Sequence, residues 1–242
     1  MNKCLLTIIS VVLLVSSGNS QNPKGMEYFE LSRITNKNAS SESMYYQFLD
    51  KPKLSAGLYQ LDVNDVDSQK PHRWDEVYFI TDGKASLALG GEVIEVKTGS
   101  IVYVRAQIPH HFFDLSENLK VLVIFSKSRS KITDPDWLAF KLDELIKKRE
   151  TDKNVWNSFL NVKTMQMGLY ILPKKIGGAS IITGKGDGIS IVVSGRGKLK
   201  AGKEKLDIQN NSIFYFNKEL TPNIYEIAKE SLYLLTIFQN NE

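Results

Sequence analysis

The stretch DGKASLALGGEVIEVKTGSIVYV (residues 82–104) has a second copy of its pattern later in the chain, SGRGKLKAGKEKLDIQNNSIFYF (residues 194–216). Gly83 lies over Gly195, and SIVY lies over SIFY. The correspondence starts upstream, where FLDKPKLSAGLY (48–59) and FLNVKTMQMGLY (159–170) share Phe, Leu, Gly, Leu and Tyr at equal spacing. It closes downstream on two apolar runs, LKVLVIF (119–125) and LYLLTIF (232–238). A duplication of this length implies two units of one architecture. Within each copy, short β-branched and aromatic runs alternate with Gly, Asn and Asp turns, the signature of an all-β barrel or sandwich.

Outside the repeats, the chain has two readable segments. At the N-terminus Lys3 precedes the apolar run CLLTIISVVLLV (4–15), followed by the small polar stretch SSGNSQ (16–21). A charged start, a short apolar middle and small residues read as a secretory signal peptide over residues 1–20. The run falls short of the ~20 residues that span a membrane, so no span is expected after cleavage. The expected location is periplasmic or secreted. The only cysteine, Cys4, lies inside this leader, so the mature chain is expected to have neither disulfides nor thiolate chemistry.

Between the copies, DPDWLAFKLDELIKKRE (134–150) carries Asp134 as an N-cap, Pro135 at the first helical position and a basic last turn. Leu138, Leu142, Leu145 and Ile146 supply one apolar face, so the segment reads as a connecting helix. The formal charge of +4 is spread over mixed-sign stretches. A basic stripe of the kind that tracks nucleic acid is missing, and no nucleic-acid partner is expected.

The residues that carry chemistry lie in the first copy. All three histidines of the chain, His72, His110 and His111, fall there. KPHRWDEVYFITDG (70–83) reads as a strand, which puts Lys70, His72, Trp74, Glu76, Tyr78 and Ile80 on one face. GSIVYVRAQIPHHFFDL (99–115) brings His110 and His111 at the end of another strand. Two imidazoles and one carboxylate facing into a barrel form a ligand set with open positions. That set suits Fe(II), with Mn, Ni and Zn as alternatives. The competing reading is a hydrogen-bonded His–Glu pair with no metal.

These two blocks resemble the paired motifs of the cupin superfamily. His72, Glu76 and Gly83 fall at the second His, the Glu and the closing Gly of the first family motif. Gly99 and His110 fall at the start and the histidine of the second. Lys70 replaces the family's first His, and Arg105-Ala106-Gln107 replaces its usual Pro-x-Gly. The resemblance implies two tandem jelly-roll barrels (double-stranded β-helices) joined by a short α-helix, with a metal held by His72, Glu76 and His110. The implied division is a first barrel over 21–130, a helical linker over 131–150 and a second barrel over 151–242. The second copy has Gly188 opposite Glu76 and Pro222 opposite His110, so no equivalent site is expected there.

The expected function is a metal-dependent oxidoreductase, isomerase or lyase acting on a small acidic or sugar-derived molecule. The alternative is a non-catalytic small-molecule or sugar binder. Lys70 is the candidate partner for a substrate's negative charge. Trp74, Tyr78, Tyr103 and Phe112 are expected to line the pocket, and His111 to face outward. A small-molecule ligand and a homodimer are the expected partners.

Overall fold

A computed structural model of the chain describes residues 25–39, 43–149, 155–174, 179–180, 184 and 186–240. The expected signal peptide lies outside the described residues. Among the described residues, no helix is long and apolar enough to cross a membrane.

The duplication appears as two β units, each built from a six-stranded antiparallel sheet facing a smaller one. The first large sheet runs Trp137–Lys141, Ser100–Val104, Asp75–Asp82, Leu119–Ser126, Leu54–Leu61, Tyr45–Asp50. Its small partner runs Glu92–Lys97, Lys84–Leu89, His110–Phe113. The second large sheet runs Met26–Glu30, Ser212–Phe216, Gly188–Ser194, Leu232–Gln239, Met165–Leu172, Trp156–Asn161. Its partner is the four-stranded sheet Ala179–Ser180, Asn223–Ile227, Arg196–Ala201, Glu204–Gln209.

Strand alternation gives each large sheet two apolar faces. In Asp75–Asp82, Tyr78 and Ile80 point into the first barrel with Leu87, Val102 and Phe112. Val77 and Phe79 point the other way, into a cluster shared with Met165, Met167, Ile189 and Ile237 of the second barrel. The barrels therefore pack large sheet against large sheet. This explains why their central strands are apolar on both faces.

The repeated glycines have one physical cause. Gly83 and Gly195 turn at φ of 88° and 90°, a region that disfavours side chains. A Cβ there would lie 2.1 Å from the Asn118 carbonyl oxygen and 2.4 Å from that of Ser231.

Two segments depart from the sequence expectation. Residues 134–150 form a strand, Trp137–Lys141, followed by a helix, Leu142–Arg149. The edge strand Ser100–Val104 offers unpaired backbone groups, and Trp137–Lys141 pairs with it residue for residue. Leu138 and Phe140 then reach the inter-barrel cluster at strand spacing, while Leu142, Leu145 and Ile146 reach it at helical spacing. One apolar pattern serves both periods. The second departure is at the N-terminus, where Met26–Glu30 pairs with Ser212–Phe216 of the second barrel. This strand lies within the stretch assigned by sequence to the first.

Candidate metal centre

Glu76 sits near the start of the strand Asp75–Asp82, paired across the sheet with Val104 and Phe125. Its side chain points into the first barrel and is buried, at 1% exposure. His110 opens the strand His110–Phe113 of the small sheet, opposite Leu89. Closing the barrel brings this histidine onto Glu76, with Nε2 lying 3.3 Å from Oε1.

His72 arrives differently. The strand begins at Asp75, so His72, Lys70 and Trp74 belong to the loop before it and strand alternation does not govern them. The loop folds back, and the His72 Nδ1 stands 3.0 Å from both Glu76 oxygens. Ligand atoms of His72, Glu76 and His110 lie within 4.8 Å of one another, a group that could hold a metal ion.

Backbone contacts set the orientation of both imidazoles. Gln107 donates to the His72 carbonyl from its backbone N at 2.7 Å and from Nε2 at 3.0 Å. Gln107 adopts φ of 68°, a left-handed conformation that is unfavourable for a side chain. The two bonds to His72 help offset it, and the turn Arg105-Ala106-Gln107 thereby holds the loop. His110 Nδ1 lies 2.7 Å from the Ile108 carbonyl oxygen, which can only accept. Nδ1 therefore carries a proton, and in the neutral imidazole Nε2 presents its lone pair.

That lone pair is the unusual feature. His110 Nε2 is buried and has no hydrogen-bond partner among the described residues, although the Glu76 carboxyl is adjacent. A buried acceptor beside a carboxyl oxygen is unfavourable unless a cation or proton lies between them. The donor set, two imidazoles and one carboxylate, fits a transition metal.

Burial opposes the protonated form of His72. The hydrogen bond and charge of Glu76, with the charge of Asp67 behind, outweigh it and hold the imidazole above its usual range. Burial, and then the charge of Glu76, push the Tyr78 phenol well up, so its hydroxyl keeps its proton.

Asp75 points out of the barrel, away from its neighbour Glu76. Fully buried, it accepts from Tyr103 Oη at 3.0 Å, Ala106 N at 2.8 Å and Thr164 Oγ1 at 2.6 Å. Thr164 belongs to the second copy, so this side chain ties the strand of Glu76 to the turn above His72 and to the other barrel.

The sequence-predicted pocket residues divide. Tyr78 faces the cavity beside His72, whereas Phe112 packs in the core of the first barrel and does not line that cavity. Tyr103 packs on the opposite face of the large sheet, in the inter-barrel cluster, because it alternates with Val102 and Val104. Trp74 is half-buried outside the cavity, stacked under the Arg73 guanidinium at 3.9 Å. Lys70 is exposed and does not line the cavity. His111 is exposed on its strand, as alternation requires.

The sequence reading missed Tyr45, Tyr59 and Gln69, which face a cavity beside His72. A signal was present for Tyr45. Gly57 sits in the middle of a strand, where glycine often marks a close approach. Tyr45 lies across it, 2.3 Å from where a Cβ would stand.

Among the described residues, the second barrel repeats the frame without the site. A Cβ on Gly188, at the Glu76 position, would lie 2.5 Å from the Phe216 ring. One on Gly184 would lie 2.5 Å from the Phe238 ring. Phe216 and Phe238 contact each other, and Phe238 contacts Trp156, so aromatic rings occupy the space of the polar cluster.

The Cupin domain family matches residues 57–125. An uncharacterized protein of Streptomyces coelicolor is 45% identical over 105 residues, which is 43% of this chain and 100% of that protein. The chain belongs to the cupin superfamily. Among solved structures, the Cupin 2 conserved barrel domain protein from Leptotrichia buccalis aligns with a TM-score of 0.66 and 16% identity, covering 88% of this chain and 96% of that one. Salicylate 1,2-dioxygenase from Pseudoaminobacter salicylatoxidans aligns with a TM-score of 0.69 and 10% identity, covering 91% of this chain and 83% of that one. At these identities the structural likenesses establish the fold.

Proposed function

We propose that this cupin is an exported metal-dependent enzyme acting on a small molecule, with His72, Glu76 and His110 as the metal ligands. The observation that carries the reading is the His110 Nε2 atom, buried, without a hydrogen-bond partner among the described residues and facing a carboxyl group. A divalent transition metal bound there would supply Lewis acidity or a site for oxygen, with positions left open by only three protein ligands. The residues' own part is to hold these ligands in place. Ile108 fixes the tautomer of His110, Gln107 holds the His72 backbone, and Asp75 anchors the strand that carries Glu76. Such supporting bonds orient ligands and limit their freedom to turn away. The likeness to salicylate 1,2-dioxygenase supports oxidation as one candidate reaction. Isomerase and lyase chemistry use the same fold, so fold alone does not choose.

Elemental analysis of the purified protein beside Glu76→Ala tests the reading. About one equivalent of a transition metal in the wild type, lost in the variant, is the expected result. Metal-free protein in both, after anaerobic reconstitution with iron, manganese, nickel and zinc, would overturn it. The His–Glu contacts would then be a buried polar cluster in a binding protein.

A further inference from the structure

We propose that Asp67 is a positioning residue for the metal centre, its carboxylate fastening the segment that carries His72 to the strand that carries His110. This rests on the proposed metal site for its purpose, but its evidence is the hydrogen bonding of the segment itself. Residues 62–74 connect the strands Leu54–Leu61 and Asp75–Asp82 and form neither helix nor strand. A connection of this length without secondary structure is uncommon and usually functional. This one delivers His72 to the triad, and both Gln69 and His72 to the wall of the cavity.

The Asp67 side chain is the clasp of this segment. Its Oδ1 accepts from Tyr59 Oη at 2.7 Å and from Gln69 N at 3.0 Å. Its Oδ2 accepts from Gln69 Nε2 at 2.8 Å and from Phe112 N at 2.7 Å. Tyr59 lies on Leu54–Leu61 and Phe112 on His110–Phe113, so one half-buried carboxylate joins the segment to two strands. Among the described residues, the segment's other hydrogen bonds to the rest of the chain are few. Val63 N donates to Asn118 at one end, Gln107 donates to the His72 carbonyl at the other, and Tyr78 donates to the Gln69 side chain. A hold on Gln69 carries to His72 because the two residues between them are stiff. Pro71 has its φ fixed by its ring, and Lys70, which precedes it, is confined to extended conformations.

Four donors converging on one group require an acceptor at both of its ends. Each Asp67 oxygen takes one main-chain N–H, that of Gln69 at Oδ1 and that of Phe112 at Oδ2. A main-chain amide cannot flip to offer an acceptor instead. An asparagine in either orientation would therefore set its NH₂ group against a main-chain donor. Asp67→Asn thus opens the clasp while filling nearly the same volume.

The test compares Asp67→Asn with Asp187→Ala, which removes the bonds from Tyr215 and Lys218 in the second barrel. Full chains loaded with zinc are challenged with excess EDTA, and the rate of zinc release is followed. Release from Asp67→Asn is expected to be about tenfold faster than from the wild type, and release from Asp187→Ala to keep the wild-type rate. In the metal-free chains, hydrogen exchange at the Gln69 and Phe112 amides should quicken by about tenfold or more in Asp67→Asn only. A merely structural role would speed release in both variants in step with their loss of thermal stability. Release from Asp67→Asn at the wild-type rate, or an equal acceleration in Asp187→Ala, would overturn the inference. If Asp67→Asn does not fold, Tyr59→Phe removes one of the four bonds and should speed release about threefold; the wild-type rate there would overturn it equally. If no chain takes up zinc, the proposed metal site falls, and exchange at the two amides decides alone. Faster exchange leaves Asp67 as the clasp of the segment, and unchanged exchange removes it. Zinc held and released alike by every chain would leave the metal site standing and overturn this inference.

Discussion

The two barrels share a frame and differ in what fills it. Asp75 and Asp187 occupy equivalent positions, and each accepts from a tyrosine and from a backbone amide. In the first barrel these donors are Tyr103 Oη and Ala106 N, and in the second Tyr215 Oη and Lys218 N. Gly57 and Gly168 each lie beneath an aromatic side chain from the neighbouring strand, Tyr45 and Trp156 respectively. One residue further along from each Asp the barrels part: Glu76 in one, Gly188 in the other. The carboxyl of the first gathers two histidines, while the glycine of the second admits the Phe216 ring. The frame is what holds the fold, because it survives in both copies. The polar cluster is a separate addition, present once among the described residues.

The largest expected effect comes from making the first barrel like the second. Glu76→Gly should lower bound metal from about one equivalent to background by elemental analysis, with the far-UV circular dichroism of a β fold retained. The converse change, Gly188→Glu, should destabilise by about 3 kcal/mol or more in urea unfolding. It forces a carboxylate into the Phe216 ring with no partner, and it should not create a metal site.

The shared aspartates sharpen the comparison further. Asp75→Ala leaves the donors of Tyr103, Ala106 and Thr164 unpaired in a fully buried place, at an expected loss of about 3 kcal/mol. It should also weaken metal binding, because the strand of Glu76 and the turn holding His72 lose their common anchor. Asp187→Ala removes two contacts at a half-buried position, and a loss of about 1–2 kcal/mol is expected with metal content unchanged. Equal effects of the two substitutions on metal affinity would remove the distinction drawn between the aspartates. The smallest effect belongs to Lys70→Ala. This side chain is exposed, so stability should stay within about 0.5 kcal/mol and metal content should not change.

The duplication was legible because each repeated residue answers a local need. Gly83 and Gly195 are required by backbone dihedrals at one turn, and any chain making that turn would show them. His72, Glu76 and His110 were legible as a group because two short motifs carry them in order. The route by which His72 arrives was not. Periodicity read 70–83 as one strand, but the chain enters the sheet only at Asp75, and a loop held by Gln107 delivers the imidazole. Trp137–Lys141 was misread for a related reason. Its apolar residues suit a helix face, and an unpaired sheet edge from residues far away in sequence recruited them as a strand.

The sequence alone determined the all-β class, the internal repeat and the residue types of the triad. Each of these depends on composition or short spacing. The tertiary structure alone decided which wall Tyr103 faces, that Lys70 points to solvent, and that Tyr45 lies across Gly57 beside His72. Those facts depend on which strands become neighbours across the barrel. Nothing within a few residues of Tyr45 or Lys70 encodes what the other side of the barrel will bring.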